Sequence, residues 1–381
     1  MARYLSTLLV ISLGLVAAFG IAEGFAIRQN REVQWSLSSS PIVSIGGGSD
    51  TRETFTRVVS VARLPDGRML LWEARPAAVR LFGTNGHFVR VFAREGAGPG
   101  EVRDANWIGF AADTVFVFDR TQRRLTRFRS TGEVLSTVPF RPAGTEQSYS
   151  VIGRWRDGTL ILRSLDPGFS GRGQDGIRRD SIWLAIADSG GGRLRQLGRF
   201  PGVASFTKAT PGGGAYVARQ PFGPEGLTAV GNDIVWAGDN STSMVVGYDR
   251  SGQTKARLRV PFESTPVDRR AVDGRRVRER EVSRSAAIQA LVNAKFAALP
   301  QRNPYYSGLV VAQDGDLWIT EVAPNDSIGP RVAVLSTEGV VRARLRLPAR
   351  FRVVQVDDDL VTGIYRDEDD VEFVRVYAIQ R

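Results

Sequence analysis

The sequence predicts an all-β fold built from six repeats of a four-stranded unit. Three observations predict it: a turn that recurs ahead of a strand, a second turn at similar spacing, and strands that are apolar on both faces. The first turn is Leu64-Pro-Asp-Gly67, ahead of Arg68-Met-Leu-Leu-Trp-Glu73. It returns as Ala111-Ala-Asp113 before Thr114 to Asp119, as Arg156-Asp-Gly158 before Thr159 to Ser164, and as Gly231-Asn-Asp233 before Ile234 to Asp239. Two more copies are Gln313-Asp-Gly315 before Asp316 to Glu321 and Val356-Asp-Asp-Asp359 before Leu360 to Ile364.

The second turn places a large apolar residue four positions before a glycine, as in Phe82-Gly-Thr-Asn-Gly86, Phe128 to Gly132, Tyr248 to Gly252 and Leu335 to Gly339. Asp-Gly, Asn-Gly and Ser-Gly tips between apolar runs are hairpin turns, because glycine takes the positive φ they need. Each unit therefore reads strand, turn, strand, loop, strand, turn, strand. Met69-Leu-Leu-Trp72 and Val115-Phe-Val-Phe118 are apolar throughout, so the sheets need neighbours on both sides. Four-stranded sheets stacked around an axis meet that need, which is the six-bladed β-propeller. A pair of β-sandwiches is the alternative, with less reason to repeat one turn pattern six times.

The sixth unit has a third strand, Val371 to Ile379, and little chain beyond it. Pro41-Ile-Val-Ser-Ile45 precedes the first repeat without a unit of its own, so it is expected to supply the missing outer strand and close the ring. Between units four and five, residues 267–299 carry Ile288, Leu291, Val292, Phe296 and Leu299 at helical spacing, with Arg275, Arg276, Arg278, Arg280 and Arg284 ahead of them. One inserted amphipathic helix is expected there. It covers apolar surface, or its arginines engage an acidic partner. The glycine-rich stretch from Asp166 to Ile177 reads as a long mobile loop.

The N-terminal segment has one positive charge at Arg3, an apolar run from Leu5 to Ile21 and small residues near Ala22 and Ala26. Residues 1–26 therefore read as an export signal or a single membrane anchor, 27–40 as a linker and 41–381 as the propeller. The protein is then exported, periplasmic or extracellular, with the membrane involved only through an uncleaved anchor. No cysteine exists anywhere, which excludes disulfides, thiolate nucleophiles, sulfur-ligated zinc and a lipoprotein signal. The only histidine, His87, sits in a turn, which leaves a Ser-His-Asp relay without support. The net charge is +11, yet arginines are spread along the whole chain and only Lys208, Lys255 and Lys295 are lysines. A nucleic-acid face would concentrate its charge, so no nucleic-acid partner is expected.

Aligned, the units bring Glu73, Asp119, Ser164, Asp239, Glu321 and Ile364 to one position, the end of the second strand. The four acids point to a candidate site at one channel mouth, where Glu73, Asp119, Asp239 and Glu321 could hold Ca²⁺ or act as acid-base groups. Alternatively each acid bonds its own loop. Arg94 and the amides of Arg94-Glu-Gly-Ala-Gly-Pro-Gly-Glu-Val102 are further candidates for the mouth. No helix start follows this stretch to hold a phosphate, so it reads as the crossing between units one and two.

Gly96-Ala-Gly-Pro-Gly-Glu101, with Gly315-Asp-Leu-Trp-Ile319 and Val117-Phe-Asp119, resembles the bacterial secreted six-bladed β-propeller family related to NHL repeats. That family carries Gly-x-Gly-Pro-Gly-Glu followed by an aromatic residue, where this chain has Val102. The resemblance covers roughly residues 41–381 and implies the fold rather than an activity. Peptide-amidating lyases of similar fold need histidine-bound metal, which this chain lacks the histidines to supply. Gluconolactonase-like propellers hold a divalent cation with Glu, Asn and Asp, which the four acids match only in part. The expectation is a monomeric binding module for a small ligand or protein partner, with a metal-dependent hydrolase or lactonase as the alternative. Deleting residues 41–46 should lower the melting temperature sharply, as followed by circular dichroism; an unchanged melting curve would remove the closing role of that strand.

Overall fold

The computed structural model describes residues 33–381 except 49, 75–76, 143–148, 165–174, 191–193, 211–212, 282–284, 324 and 326. The proposed export segment, and most of the Asp166 to Ile177 stretch, lie outside the described residues. Among the described residues the strands pair into six separate sheets, each built on antiparallel neighbours in chain order, with short N-terminal strands added to the fifth and sixth. The first sheet is typical: Val58–Arg63, Met69–Ala74, Ala77–Phe82 and Phe88–Arg94. Its turns form where the sequence places them, with Gly67 at φ +88° and Gly86 at φ +84°. Met69 to Glu73 are all buried, as a strand covered on both faces requires.

The other first strands are Ala105–Ala111, Tyr149–Arg154, Gly226–Gly231, Gly308–Val311 and Phe351–Asp357. Each packs against the first strand of the next sheet, and Phe351–Asp357 in turn touches Val58–Arg63. The apolar core is divided in the same way, since every hydrophobic cluster is shared by two consecutive sheets. Leu70 and Trp72 meet Ile108 and Val117, Trp236 meets Leu317 and Ile319, and Met69 and Leu71 meet Ile364 and Val374.

Close approach at this seam depends on what the first strands omit. A Cβ on Gly231 would lie 2.5 Å from Val311 Cγ1, so only glycine lets these two strands pack. Four of the first strands also carry a bulge, with Val59, Asn106, Ile152 and Val354 as the extra residues. A bulge sharpens the local twist and re-aims side chains. Past the bulge at Val354, Gln355 is turned toward the first sheet. Its Nε2 donates to the Arg63 carbonyl and its Oε1 accepts from the Arg63 N–H, both at 2.9 Å. The side-chain amide thus stands in for a strand neighbour between the sixth and first sheets.

Val43–Ile45 pairs antiparallel with Val374–Val376 at the outer edge of the sixth sheet, and Ile45 is buried there. The linker reading of residues 27–40 needs correction from Val33 onward. Val33–Gln34 runs parallel to Ala343–Arg344 of the fifth sheet, and Ser36–Leu37 pairs with Ile379–Gln380. Trp35 between them packs tilted against Trp318 with 6.3 Å between centroids, so apolar contact holds this segment down.

The insertion also differs from the single expected helix. It holds two, α1 (Arg269–Glu281) and α2 (Ala286–Ala297). α2 buries Val292 and Phe296, as the apolar spacing predicts. α1 buries no residue and is held by charge pairs instead: Arg275 with Glu279 at 3.1 Å and Arg276 with Asp273 at 2.8 Å. A search for apolar periodicity cannot see such a helix. Glu279 also pairs with buried Lys295 of α2, which ties the two helices together.

Gln355→Leu keeps the bulk of the side chain but leaves both backbone groups of Arg63 without this partner. It should cost about 1–3 kcal/mol in urea unfolding with an unchanged slope. A midpoint equal to that of the parent would show that the amide bridge carries no stability.

Candidate functional site

Antiparallel register sets the end of each second strand beside the start of the first: Val58 opposite Glu73, Ala105 opposite Asp119, Tyr149 opposite Ser164 and Gly226 opposite Asp239. The chain enters each sheet at this end, so these side chains meet incoming backbone. Glu73 Oε1 accepts the Thr56 N–H at 2.8 Å. Asp119 accepts the N–H groups of Arg103 at 2.6 Å and Gln122 at 2.8 Å. The Ser164 hydroxyl accepts the Trp183 N–H at 2.9 Å.

Arginines take up most of the remaining charge. Arg80 stands 2.9 Å from Glu73, Arg179 grips both oxygens of Asp239 at 2.9 and 3.2 Å, and Arg331 Nε donates to Glu321 at 2.8 Å. In the sixth sheet the aligned residue is apolar Ile364, and the role passes to buried Glu372. It accepts from Arg366 Nε at 2.9 Å and from the N–H of Val58 in the first sheet. Sequence alignment misses Glu372 because it lies on the third strand rather than at the end of the second.

Burial pushes the Glu73 carboxyl above the usual carboxylate range, against the pull of the Thr56 N–H and Arg80. At Asp239 burial acts in the same upward sense, but the bonds from Arg179 and Ser241 outweigh it and the carboxyl sits below that range. The structure does not bring Glu73, Asp119, Asp239 and Glu321 together as one ligand set. Among the described residues, no group of three or more His, Cys, Asp or Glu side chains could hold a metal ion. Each of the four acids is engaged by backbone N–H groups, an arginine or both, and the arginine of Asp239 reaches it from the third sheet. His87 is exposed at its turn, 3.4 Å from Glu53.

The glycine-rich stretch joins the outer strand of the first sheet to the first strand of the second. Glu101 folds back on it, with Oε2 accepting from the Gly98 N–H at 2.8 Å and Oε1 from Arg94 Nε at 2.9 Å. Arg124 of the second sheet donates to the carbonyls of Ala97 and Gly98 at 2.7 and 2.9 Å, and Gln122 to that of Gly96 at 2.7 Å. A side chain at Gly96 would overlap the Glu101 carboxylate. The loop is a joint between sheets. Arg94 is exposed on the outer strand and is absent from the channel wall, as are Glu73, Asp119, Ser164, Asp239 and Glu321.

What the topology does bring together is a cavity of about 790 Å³ along the seam, lined by the first strands of all six sheets and by their turn tips. Val59, Ile152 and Val354, the bulge residues, give it apolar wall, as does Trp107, whose ring crosses Gly109 where a Cβ would block it. Its polar groups include Arg63, Arg154, Asn232, Gln313 and Asp357. Arg63 stands 3.5 Å from Asp357, whose carboxyl burial raises above its usual range, and Arg154 lies 4.8 Å over the Phe116 ring. The wall mixes apolar side chains with a larger share of polar surface, so the cavity suits a small polar molecule rather than an apolar one. Sequence reasoning assigned these tips to turns only. Nothing local marks Gln355 or Asn232, because the wall exists only once six distant strands meet.

No family model matches the chain, and no curated protein does. Its fold is similar to solved structures. A member of the DUF4221 family from Bacteroides vulgatus is 10% identical, with 92% of this chain and 100% of that chain covered and a TM-score of 0.51. A protein assigned as exported, from Bacteroides fragilis, is 12% identical over 90% of this chain and 95% of its own, with a TM-score of 0.48. A gluconolactonase from Xanthomonas campestris is 12% identical over 91% of this chain and 97% of its own, with a TM-score of 0.46. With the first of these, and with the stacked antiparallel sheets described above, the chain has a propeller-type β fold.

Proposed function

We propose that this protein is an exported, monomeric six-bladed propeller that binds a small ligand in its central channel, without catalysis. In this reading the six sheets are the blades, and Val43–Ile45, paired with the last strand, closes the ring. Export rests on the apolar segment and small residues of 1–26, and no helix among the described residues is long and apolar enough to cross a membrane.

The observation that carries the binding role is the 790 Å³ cavity, walled by every first strand and bearing both apolar and hydrogen-bonding groups. The carboxylates first read as metal ligands serve better as joints, since each already holds backbone N–H groups, an arginine or both. A catalytic acid or base needs a group aimed at a reacting atom, and these are already engaged by backbone or by arginines.

Two measurements test the reading. Titration with a panel of neutral disaccharides and dipeptides, followed by intrinsic tryptophan fluorescence, to which Trp107 and Trp155 of the wall contribute, should give a saturable change for at least one compound. Asn232→Trp, which fills the channel mouth, should abolish it, and a panel without any saturable response would remove the channel as the site. In calorimetry calcium should give no saturable heat. Saturable calcium binding that is lost in the combined Glu321→Gln and Asp119→Asn variant would make the carboxylates metal ligands and reinstate the hydrolase reading.

A further inference from the structure

The channel wall carries unpaired charge of opposite sign on opposite sides. In register, Arg154 stands beside Leu160, Arg63 beside Met69 and Asp357 beside Leu360, so all three close their first strands at the end where the turn tips lie. They belong to the third, first and sixth sheets. In a ring of six, the third and sixth stand three steps apart in either direction, which is across the channel.

On the third sheet, the Arg154 guanidinium lies 4.8 Å over the Phe116 ring of the second sheet, and a Cβ on Gly158 of its own turn would come 3.3 Å from its Nη2. Ring and turn hold it in place, but neither is an acid. Its Nε is buried without a partner, and among the described residues the side chain makes no hydrogen bond and no ion pair. Burial pushes the guanidinium below its usual range, with Asp157 drawing it up and Arg127 adding like charge. Asp157 is itself held by Arg250 at 2.7 Å. Arg156, two positions on, is exposed on the wall of the same cavity and likewise has no ion pair among the described residues.

The sixth sheet presents the opposite sign. Asp357 and Asp358 both line the cavity, and the Asp357 carboxyl is raised first by burial and further by the charge of Asp358. Arg63 stands 3.5 Å from Asp357, and Arg381 pairs with Asp359 at 3.2 Å while donating to the Asp358 carbonyl. The Asp358 carboxylate is left with no ion pair among the described residues. Between the two poles, on the fourth and fifth sheets, the side-chain amides of Asn232 and Gln313 line the cavity with no hydrogen-bond partner among the described residues.

We propose that the channel ligand is a short peptide with both termini free, its carboxylate on Arg154 and Arg156 and its ammonium on Asp358. This rests on the channel reading above and names the ligand class within it. A guanidinium fork matches carboxylate geometry, and an unpaired acid on the far wall suits an ammonium. The peptide groups between them meet Asn232 and Gln313, and an apolar side chain meets Trp107 and Val354. Sheets packed about 10 Å apart set opposite strands of a six-membered ring about 20 Å apart. The arginine and aspartate side chains cover roughly half of that distance, and about three extended residues span the rest. A neutral sugar would leave both poles unpaired, and a simple acid would leave Asp358 so.

Calorimetry on the purified full-length protein tests this with the tripeptide alanyl-leucyl-alanine, its C-terminal amide, its N-acetyl form and cellobiose. The free tripeptide should bind saturably, and blocking either end should weaken it at least tenfold. Arg154→Gln should lower affinity for the free tripeptide at least tenfold and leave that for the amide unchanged. Asp358→Asn should lower affinity for the free tripeptide in the same way and leave that for the N-acetyl form unchanged. A variant that merely folds badly would weaken every form alike, so equal losses on free and blocked peptides would overturn the assignment of the termini. Equal affinity of the parent for free and blocked peptides would overturn it as well. No saturable heat from the tripeptide would overturn the peptide assignment altogether, while cellobiose binding that is lost in Asn232→Trp would leave the channel standing as the site.

Discussion

Burial on both faces of every sheet is the constraint from which the rest of the structure follows. Trp72, Trp236 and Leu317 reach their low-energy environment only against a neighbouring sheet, because each apolar cluster belongs to two sheets. No sheet owns a core, so stability resides in the joins. The side chains at the joins accordingly do the work of backbone: Glu73 and Asp119 receive incoming N–H groups, Gln355 completes a hydrogen-bond pair with Arg63, and Glu372 reaches across to Val58. A polar group in such a seam is costly unless satisfied, and these meet both sides of that requirement at once.

This accounts for what the sequence makes legible and what it conceals. Turn glycines and unbroken apolar runs are local signals, so the strands around Met69, Val115, Ile234 and Leu317 could be placed from residues alone. The acids at the strand ends could be found in the same way, but their direction could not. Whether Asp239 faces another carboxylate or Arg179 depends on a residue 60 positions away on a different sheet. Gln355 has no local signature, since its partner is 292 positions distant. That the insertion holds two helices rather than one escaped because charge pairs hold α1, and the pairing of Val33 and Ser36 escaped because two-residue strands carry no periodicity.

The division of charge has a further effect. Arg80, Arg179, Arg331 and Arg366 are consumed in neutralising Glu73, Asp239, Glu321 and Glu372. The excess positive charge is therefore carried by the rest of the chain, and α1 holds six arginines against three acids. A compositional surplus that looks featureless along the chain becomes a local field once the acids have taken their partners.

The pairing of Ser36–Leu37 and Val43–Ile45 with the strand Glu372–Gln380 sets an order on folding. These segments are more than three hundred positions apart, so the contact carries the largest loop-closure entropy in the molecule and forms late. Until it does, Glu372–Gln380 presents an unpaired edge, and the early segment waits unstructured while the intervening sheets assemble. During synthesis from the N-terminus, Ser36–Leu37 and Val43–Ile45 are thus made before the sheets they join and find their place after them. The most aggregation-prone species on this pathway is the nearly complete one, with a single edge still open.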